Sequence, residues 1–309
     1  MRNVPTRLMK TALLALVAVV LAFAFAKSPP ASAQSGRRSD EKRSGATPTP
    51  TPQLLKRTTT RRETRRLGYG GSVTLVGAPE GSVTVEAWPK DEVEITADLE
   101  QSATTEEELT RLAALNTFAV DEDLNHVRIT TVGVHDRKYV KRYARDLPKG
   151  LLAMPWKIDY HLRVPAAVDL EINAGRGALS VVGVEGALLL NAGGGGASFT
   201  LAGGDVNATL AEGPVTVRVT ARSWRGRGMD VRVARGDLTV ELPVGFSGDL
   251  NAEVLRTGRV ENADAELSAR DRTQPTDRSL HVRAGAGGAT LSFTVGDGTL
   301  RIIQATGRR

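Results

Sequence analysis

Apolar and polar residues alternate almost one by one through most of the chain beyond position 70. In residues 71–100, "GSVTLVGAPEGSVTVEAWPKDEVEITADLE", the apolar positions are Val73 and Leu75, then Val83, Val85 and Ala87, then Val93, Ile95 and Ala97. Gly77, Gly81 and Pro89 punctuate them. A period of two predicts strands with one buried face, and the punctuation predicts turns. Near position 104 the period lengthens. Thr104 or Thr105 can cap a helix, with Glu107 and Glu108 three residues on and Leu109, Leu112 and Ala113 along one side. The acids Glu106 to Glu108 suit the positive end of the helix dipole, which accounts for them without catalysis. Strands resume at residues 126–134, break at 135–156, and continue from Lys157 to the end.

A second, longer period lies over the first. Residues 172–204 read "INAGRGALSVVGVEGALLLNAGGGGASFTLAGG". Asn173-Ala174-Gly175 returns as Asn191-Ala192-Gly193, Ser180 as Ser198, and Gly186 as Gly204, each after 18 residues. Thr209 continues the Asn173–Asn191 series, and Gly213, Gly236 and Gly258 follow at wider steps of 23 and 22. A repeat of about 20 residues predicts a β-solenoid of stacked short strands, with glycine and asparagine at the corners and an Asn173–Asn191 amide ladder between turns. The small core residues suit a narrow coil. None of "GRGALS", "GGGGAS" or "GAGGAT" completes a dinucleotide fingerprint, and no phosphate loop is present.

The chain's ends change the picture. Arg2, Arg7 and Lys10 precede the apolar run of residues 11–26, and "PPASA" ends at Ala33, so residues 1–33 read as a signal peptide, or as a membrane anchor if uncleaved. Residues 34–66 are rich in Arg, Thr and Pro and poor in apolar side chains. They read as a disordered linker able to contact an anionic membrane or wall. The net charge of +6 divides unevenly: residues 1–33 hold four Lys/Arg and no acid, residues 34–66 ten against three, and residues 67–309 hold 27 against 32. A mildly acidic body argues against nucleic-acid binding. With no cysteine there is no disulfide and no thiolate metal site. The expected divisions are 1–33, 34–66, an N-terminal β region with a helix and a basic insertion at 67–156, and the repeat β-solenoid at 157–309.

The stretches "IDYHLRVPAAVDLEINAGRGALSVVGVEG", "GDLTVELPVGFSGDLNAEV" and "GATLSFTVGDGTLRI" resemble the bacterial putative-adhesin domain family of unknown function. The resemblance covers roughly residues 70–303 and rests on repeat glycines and alternating strands. It implies an all-β, extracytoplasmic solenoid with an adhesion-like or envelope role, and it brings no catalytic residues.

Candidate chemistry is sparse. Residues 135–156 interleave Arg137, Lys138, Lys141 and Arg142 with Tyr139 and Tyr143, a mixture suited to a polyanion or a sugar. "RSWRGRGMD" at 222–230 lengthens one coil around Trp224, Arg225 and Arg227. Insertions in a solenoid collect on one face, so the two stretches together form the candidate ligand-contact surface. A carbohydrate-active β-helix enzyme is the rival reading. It needs clustered carboxylates, and Asp169, Glu185, Asp205 and Glu212 read as out of phase with the repeat. The four histidines lack metal-ligand spacing, and Arg235-Gly236-Asp237 reads as a turn. The expected protein is non-enzymatic and holds neither cofactor nor metal. Its expected partner is an envelope polymer or a surface protein; a role in envelope stress with a membrane partner is a further alternative.

Overall fold

The computed structural model describes residues 54–264, 267–269 and 276–305. The expected leader and the linker as far as position 53 lie outside the described residues. The chain runs β1 (Leu55–Arg66), β2 (Ser72–Glu80), β3 (Val83–Trp88), β4 (Glu92–Ala103), α1 (Glu106–Leu115), β5 (Thr117–Asp123) and β6 (His126–Val132). Two short helices follow, α2 (Arg137–Tyr143) and α3 (Lys149–Leu152). Then come β7 (Trp156–Pro165), β8 (Asp169–Arg176), β9 (Leu179–Val182), β10 (Ala187–Gly194), β11 (Ala197–Leu201), β12 (Gly203–Glu212) and β13 (Val215–Val219). The last are β14 (Arg225–Arg235), β15 (Leu238–Leu242), β16 (Gly248–Thr257), β17 (Val260–Asn262), β18 (Ser268–Ala269), β19 (Ser279–Ala284), β20 (Thr290–Asp297) and β21 (Leu300–Gln304).

From β8 to β17 consecutive strands alternate between two sheets. One has the order β1-β4-β7-β3-β9-β11-β13-β15-β21-β17, the other β18-β19-β16-β20-β14-β12-β10-β8-β2-β6-β5. The 18-residue step becomes parallel register: Asn191 lies beside Asn173 and Thr209, and Ser198 beside Ser180. Asn191 Nδ2 donates to Asn173 Oδ1 at 2.9 Å, the expected ladder. Inward rows fill the space between the sheets. Val85, Val181, Phe199, Val217, Val240 and Ile302 are in register in one sheet and fully buried. Thr105 caps α1, and its hydroxyl accepts from Glu108 N at 3.2 Å while the Glu108 carboxylate accepts from Thr105 N.

Four expectations are corrected. The architecture is all-β as expected, but its strands form two large mixed sheets where the expected solenoid would have a closed coil. Antiparallel pairs flank the parallel strands at one end of the first sheet (β1–β4–β7) and at both ends of the second (β5–β6 and β16–β19–β18), while the first sheet's other edge is the three-residue β17, parallel to β21. Among the described residues there are three helices, not one, because Asp136 and Pro148 start two more inside the basic insertion. Residues 71–88 already belong to the stack, since β2 pairs with β8 and β3 with β9 in parallel, so the repeat begins well before position 157.

The fourth correction concerns the linker, whose last twelve residues are strand β1, antiparallel to β4 throughout. Its threonines favour extended backbone. Its cations meet acids on neighbouring elements: Lys56 with Glu100 (3.2 Å), Arg57 with Glu106 (3.1 Å), and Arg65 with Glu122 (3.8 Å). Arg61 lies 4.3 Å from the Phe118 ring centroid and donates to Phe118 O at 2.7 Å. β1 is held by backbone pairing and charge, with no fully buried side chain.

Candidate functional site

The segment between β6 and β7 is fixed at its base and free at its tip. Ala103, Leu109, Leu112 and Leu151 form a small apolar cluster of their own, with Val134, Leu147 and Met154 against it. Asn116, 1% exposed, accepts from Val134 N through Oδ1 at 3.0 Å. His135 packs against Trp156 with ring centroids 5.4 Å apart. Beyond this base, the Asp136 carboxylate accepts from Lys138 N at 2.7 Å and starts α2, which buries none of its side chains.

α2 carries six of the nine residues expected at the site: Arg137, Lys138, Tyr139, Lys141, Arg142 and Tyr143. Tyr139 and Tyr143 lie 4.9 Å apart, and the Arg142 guanidinium is 5.3 Å from the Tyr143 ring, which is largely exposed. None of Arg137, Lys138, Lys141, Arg142, Arg145 and Lys149 forms an ion pair among the described residues. On the sheets many cations do meet acids, as in Arg218–Glu241, Arg256–Asp297 and Arg301–Glu261, while Arg62, Arg66, Arg128 and Arg235 stand singly without ion pairs among the described residues. Eight of the 41 basic and two of the 35 acidic residues precede position 55, leaving 33 of each in residues 55–309. The unpaired cluster therefore stands on a body whose net charge is zero.

The other three expected residues are elsewhere. Trp224 is 5% exposed and its Nε1 donates to Gly204 O at 3.0 Å, so it belongs to the core and offers no contact surface. The extra residues of that coil carry the indole inward. Arg225 and Arg227 remain exposed, but Glu185 and Asp205 neutralise them. They sit at the start of β14, whereas α2 follows the end of β6. β6, β2, β8, β10, β12 and β14 are successive parallel strands, so the two groups lie at opposite strand ends and about 24 Å apart across the sheet. The structure does not bring them together.

Asp169 and Asp205 do share a phase, contrary to the reading above, for Ala187 pairs with Asp205 and donates its N–H to Asp169 at 2.8 Å. Two strand spacings and an occupied partner separate them, and no group of three potential metal ligands occurs among the described residues. In Arg235-Gly236-Asp237, Asp237 Oδ1 accepts from Thr299 N at 2.8 Å and binds one coil to the next. Sequence reasoning missed a shallow groove of about 570 Å³ on the outer face of the second sheet, crossing β2, β8, β10, β12 and β14. Its signal was the in-register Gly175, Gly193 and Ala211.

Partial desolvation pushes the imidazole of His135, whose surface is otherwise exposed, below its ordinary value, with the Asp136 carboxylate opposing. The unfolded chain then holds that proton more tightly, so this contribution to stability is full above about pH 6.5 and falls as pH drops below it. A lower Tm at pH 5.5 than at pH 7.5 is expected, with the difference reduced in His135→Gln, as thermal melts in both buffers will show.

No protein-family model and no curated protein matches this chain. Solved structures similar to it include a putative cell adhesion protein from Clostridium sporogenes, with 11% identity over 80% of this chain and 100% of that one and a TM-score of 0.44. A putative adhesin from Bacteroides fragilis has 11% identity over 79% and 97%, with a TM-score of 0.32. A putative lipid binding protein from Parabacteroides distasonis has 13% identity over 80% and 96%, with a TM-score of 0.21. Likeness of this degree fixes neither ligand nor activity. Among the described residues no helix is long and apolar enough to cross a membrane.

Proposed function

We propose that this is an exported, non-enzymatic, adhesin-like binding module of the cell envelope, a β-solenoid in architecture, whose contact surface is the α2 segment. The carrying observation is the concentration of six cations without ion pairs on and just after α2, beside two tyrosines in tilted ring contact, on a body of zero net charge. Such a surface attracts an extended polyanion: the cations supply long-range attraction, and the ring faces take apolar or cationic groups of the same ligand. Export is supported by Arg2, Arg7 and Lys10 ahead of the apolar run. The coil reading is supported by the in-register 18-residue step.

The test is co-sedimentation with isolated cell-wall sacculi across a salt series. Arg137→Gln, Lys138→Gln, Lys141→Gln and Arg142→Gln together should weaken binding at least tenfold at low salt, at about 1 kcal/mol per basic residue less screening. The fold should be unchanged, since all four of these residues are exposed. Undiminished binding by that variant would remove α2 from the contact surface.

A further inference from the structure

Two neighbouring turns at the start of β2 and β6 carry the most exposed large hydrophobic residues among those described, Tyr69 at 93% and Leu124 at 95%. Asn125 ties the turns together. Its Oδ1 accepts from Gly68 N (2.6 Å), its Nδ2 donates to Tyr69 O (3.3 Å), and its carbonyl accepts from Ser72 N (3.0 Å). Leu124 and Asn125 have φ of 31° and 68°, the two non-glycine residues with positive φ among those described. Asparagine tolerates that backbone, and a tight hairpin of this hand takes Asn, Asp or Gly at both places. A leucine there strains the backbone and leaves a large apolar side chain in water. Neither serves the fold. Strain and apolar exposure coinciding at one position, beside an equally exposed tyrosine, mark a contact surface.

The same molecule carries a matching receptacle. The groove across β2 to β14 has a floor that includes Gly175, Gly193 and Ala211, and no charged side chain in its lining. At its β2 end a Cβ on Gly77 would lie 3.8 Å from His135 Nε2, so the groove opens beside α2 and its unpaired cations. The tip has the opposite charge: Asp121 and Asp123, exposed and without ion pairs among the described residues, adjoin Leu124. Those acids disfavour an anionic membrane as the occupant.

We propose that the Tyr69–Leu124 tip of one copy docks in the groove of a second copy of this chain, with Asp121 and Asp123 facing Arg137 and Lys138. Tip and groove lie at opposite strand ends of the second sheet, so the contact is heterologous and joins copies head to tail. Two side chains and a shallow floor make a small interface, and association is weak, favoured by high local concentration. The inference shares α2 with the proposed envelope contact, so a soluble polyanion competes with association.

Sedimentation equilibrium over a concentration series at low salt tests it. The protein should self-associate, and Leu124→Asn and Tyr69→Ser should each weaken association at least tenfold. Leu124→Asn should keep or raise Tm, because Asn adopts positive φ more readily, and should leave sacculus binding unchanged, which separates this inference from the α2 reading. The chain has no cysteine, so Leu124→Cys combined with Ala211→Cys should give a disulfide-linked ladder under oxidation. Leu124→Cys combined with Val182→Cys, on the outer face of the other sheet, should not. A monomer at every concentration, undiminished association of Leu124→Asn, or equal ladders from both pairs would overturn the proposal. So would a tip whose mutation abolishes flotation with phosphatidylcholine vesicles while no association is seen, since the tip is then a membrane wedge.

Discussion

Gly177→Ala is expected to cost more than about 4 kcal/mol, the range reached when a substitution meets fixed backbone. Gly177 has φ of 150°, and an added Cβ would lie 2.0 Å from Gly81 O and 2.5 Å from its carbonyl carbon. Both are main-chain atoms of the neighbouring coil. No rotamer change relieves the overlap, and moving the strands apart breaks the ladder along both sheets. Gly150→Ala is the control, because nothing lies within 4 Å of its Cβ and it sits in α3, where alanine is the better helix former. Urea denaturation of both variants should show a large loss in the first and a change within about 0.5 kcal/mol in the second. A loss below about 1 kcal/mol for Gly177→Ala would mean that the coils can separate at that corner without penalty.

Deleting residues 55–66 is expected to have the next largest effect. It would expose the whole of β4 as a twelve-residue edge and uncover Phe118, which Arg61 roofs. Concentration-dependent aggregation should follow, since unpaired strand edges recruit other strands. Arg61→Ala measures part of the same effect. It removes the contact with the Phe118 ring and the hydrogen bonds to Phe118 O and Thr117 Oγ1, and should cost about 2 kcal/mol. Light scattering checks the deletion, and chemical denaturation the point variant. A deletion that stays monomeric with unchanged stability would reduce β1 to a passenger.

The strands, the 18-residue register and the cap of α1 were legible because each is written locally: alternation at every second residue, Asn173 against Asn191, Thr105 against Glu108. β1 was not, because a strand that pairs through backbone and charge leaves no apolar alternation to find. Its acidic partners on β4 and α1 are 44 and 49 residues away in sequence. The α2 cations could be seen in the sequence, but their lack of ion pairs could not. Trp224 read as a surface feature because it stands among arginines and glycines, and only the longer coil turns it inward. Nor does a repeat state the order in which its units stack. Gly213, Gly236 and Gly258 suggested successive turns, yet β20 lies between β14 and β16, and β21 between β15 and β17. Gly298 thus sits against both Gly236 and Gly258.

That interleaving has a consequence for how the chain is made. Coils from β8 to β15 can assemble in the order in which they leave a ribosome or a translocation pore, each on the one before. The next pair of strands to emerge, β16 and β17, has no seat on β14 and β15 in the finished molecule, because residues 290–304 occupy it. The early arrival must wait, or pair wrongly and be displaced, until the late coil slides in between. Maturation therefore runs at the pace of the last segment made, and a nascent chain halted before position 290 keeps an unfinished edge open to any passing strand.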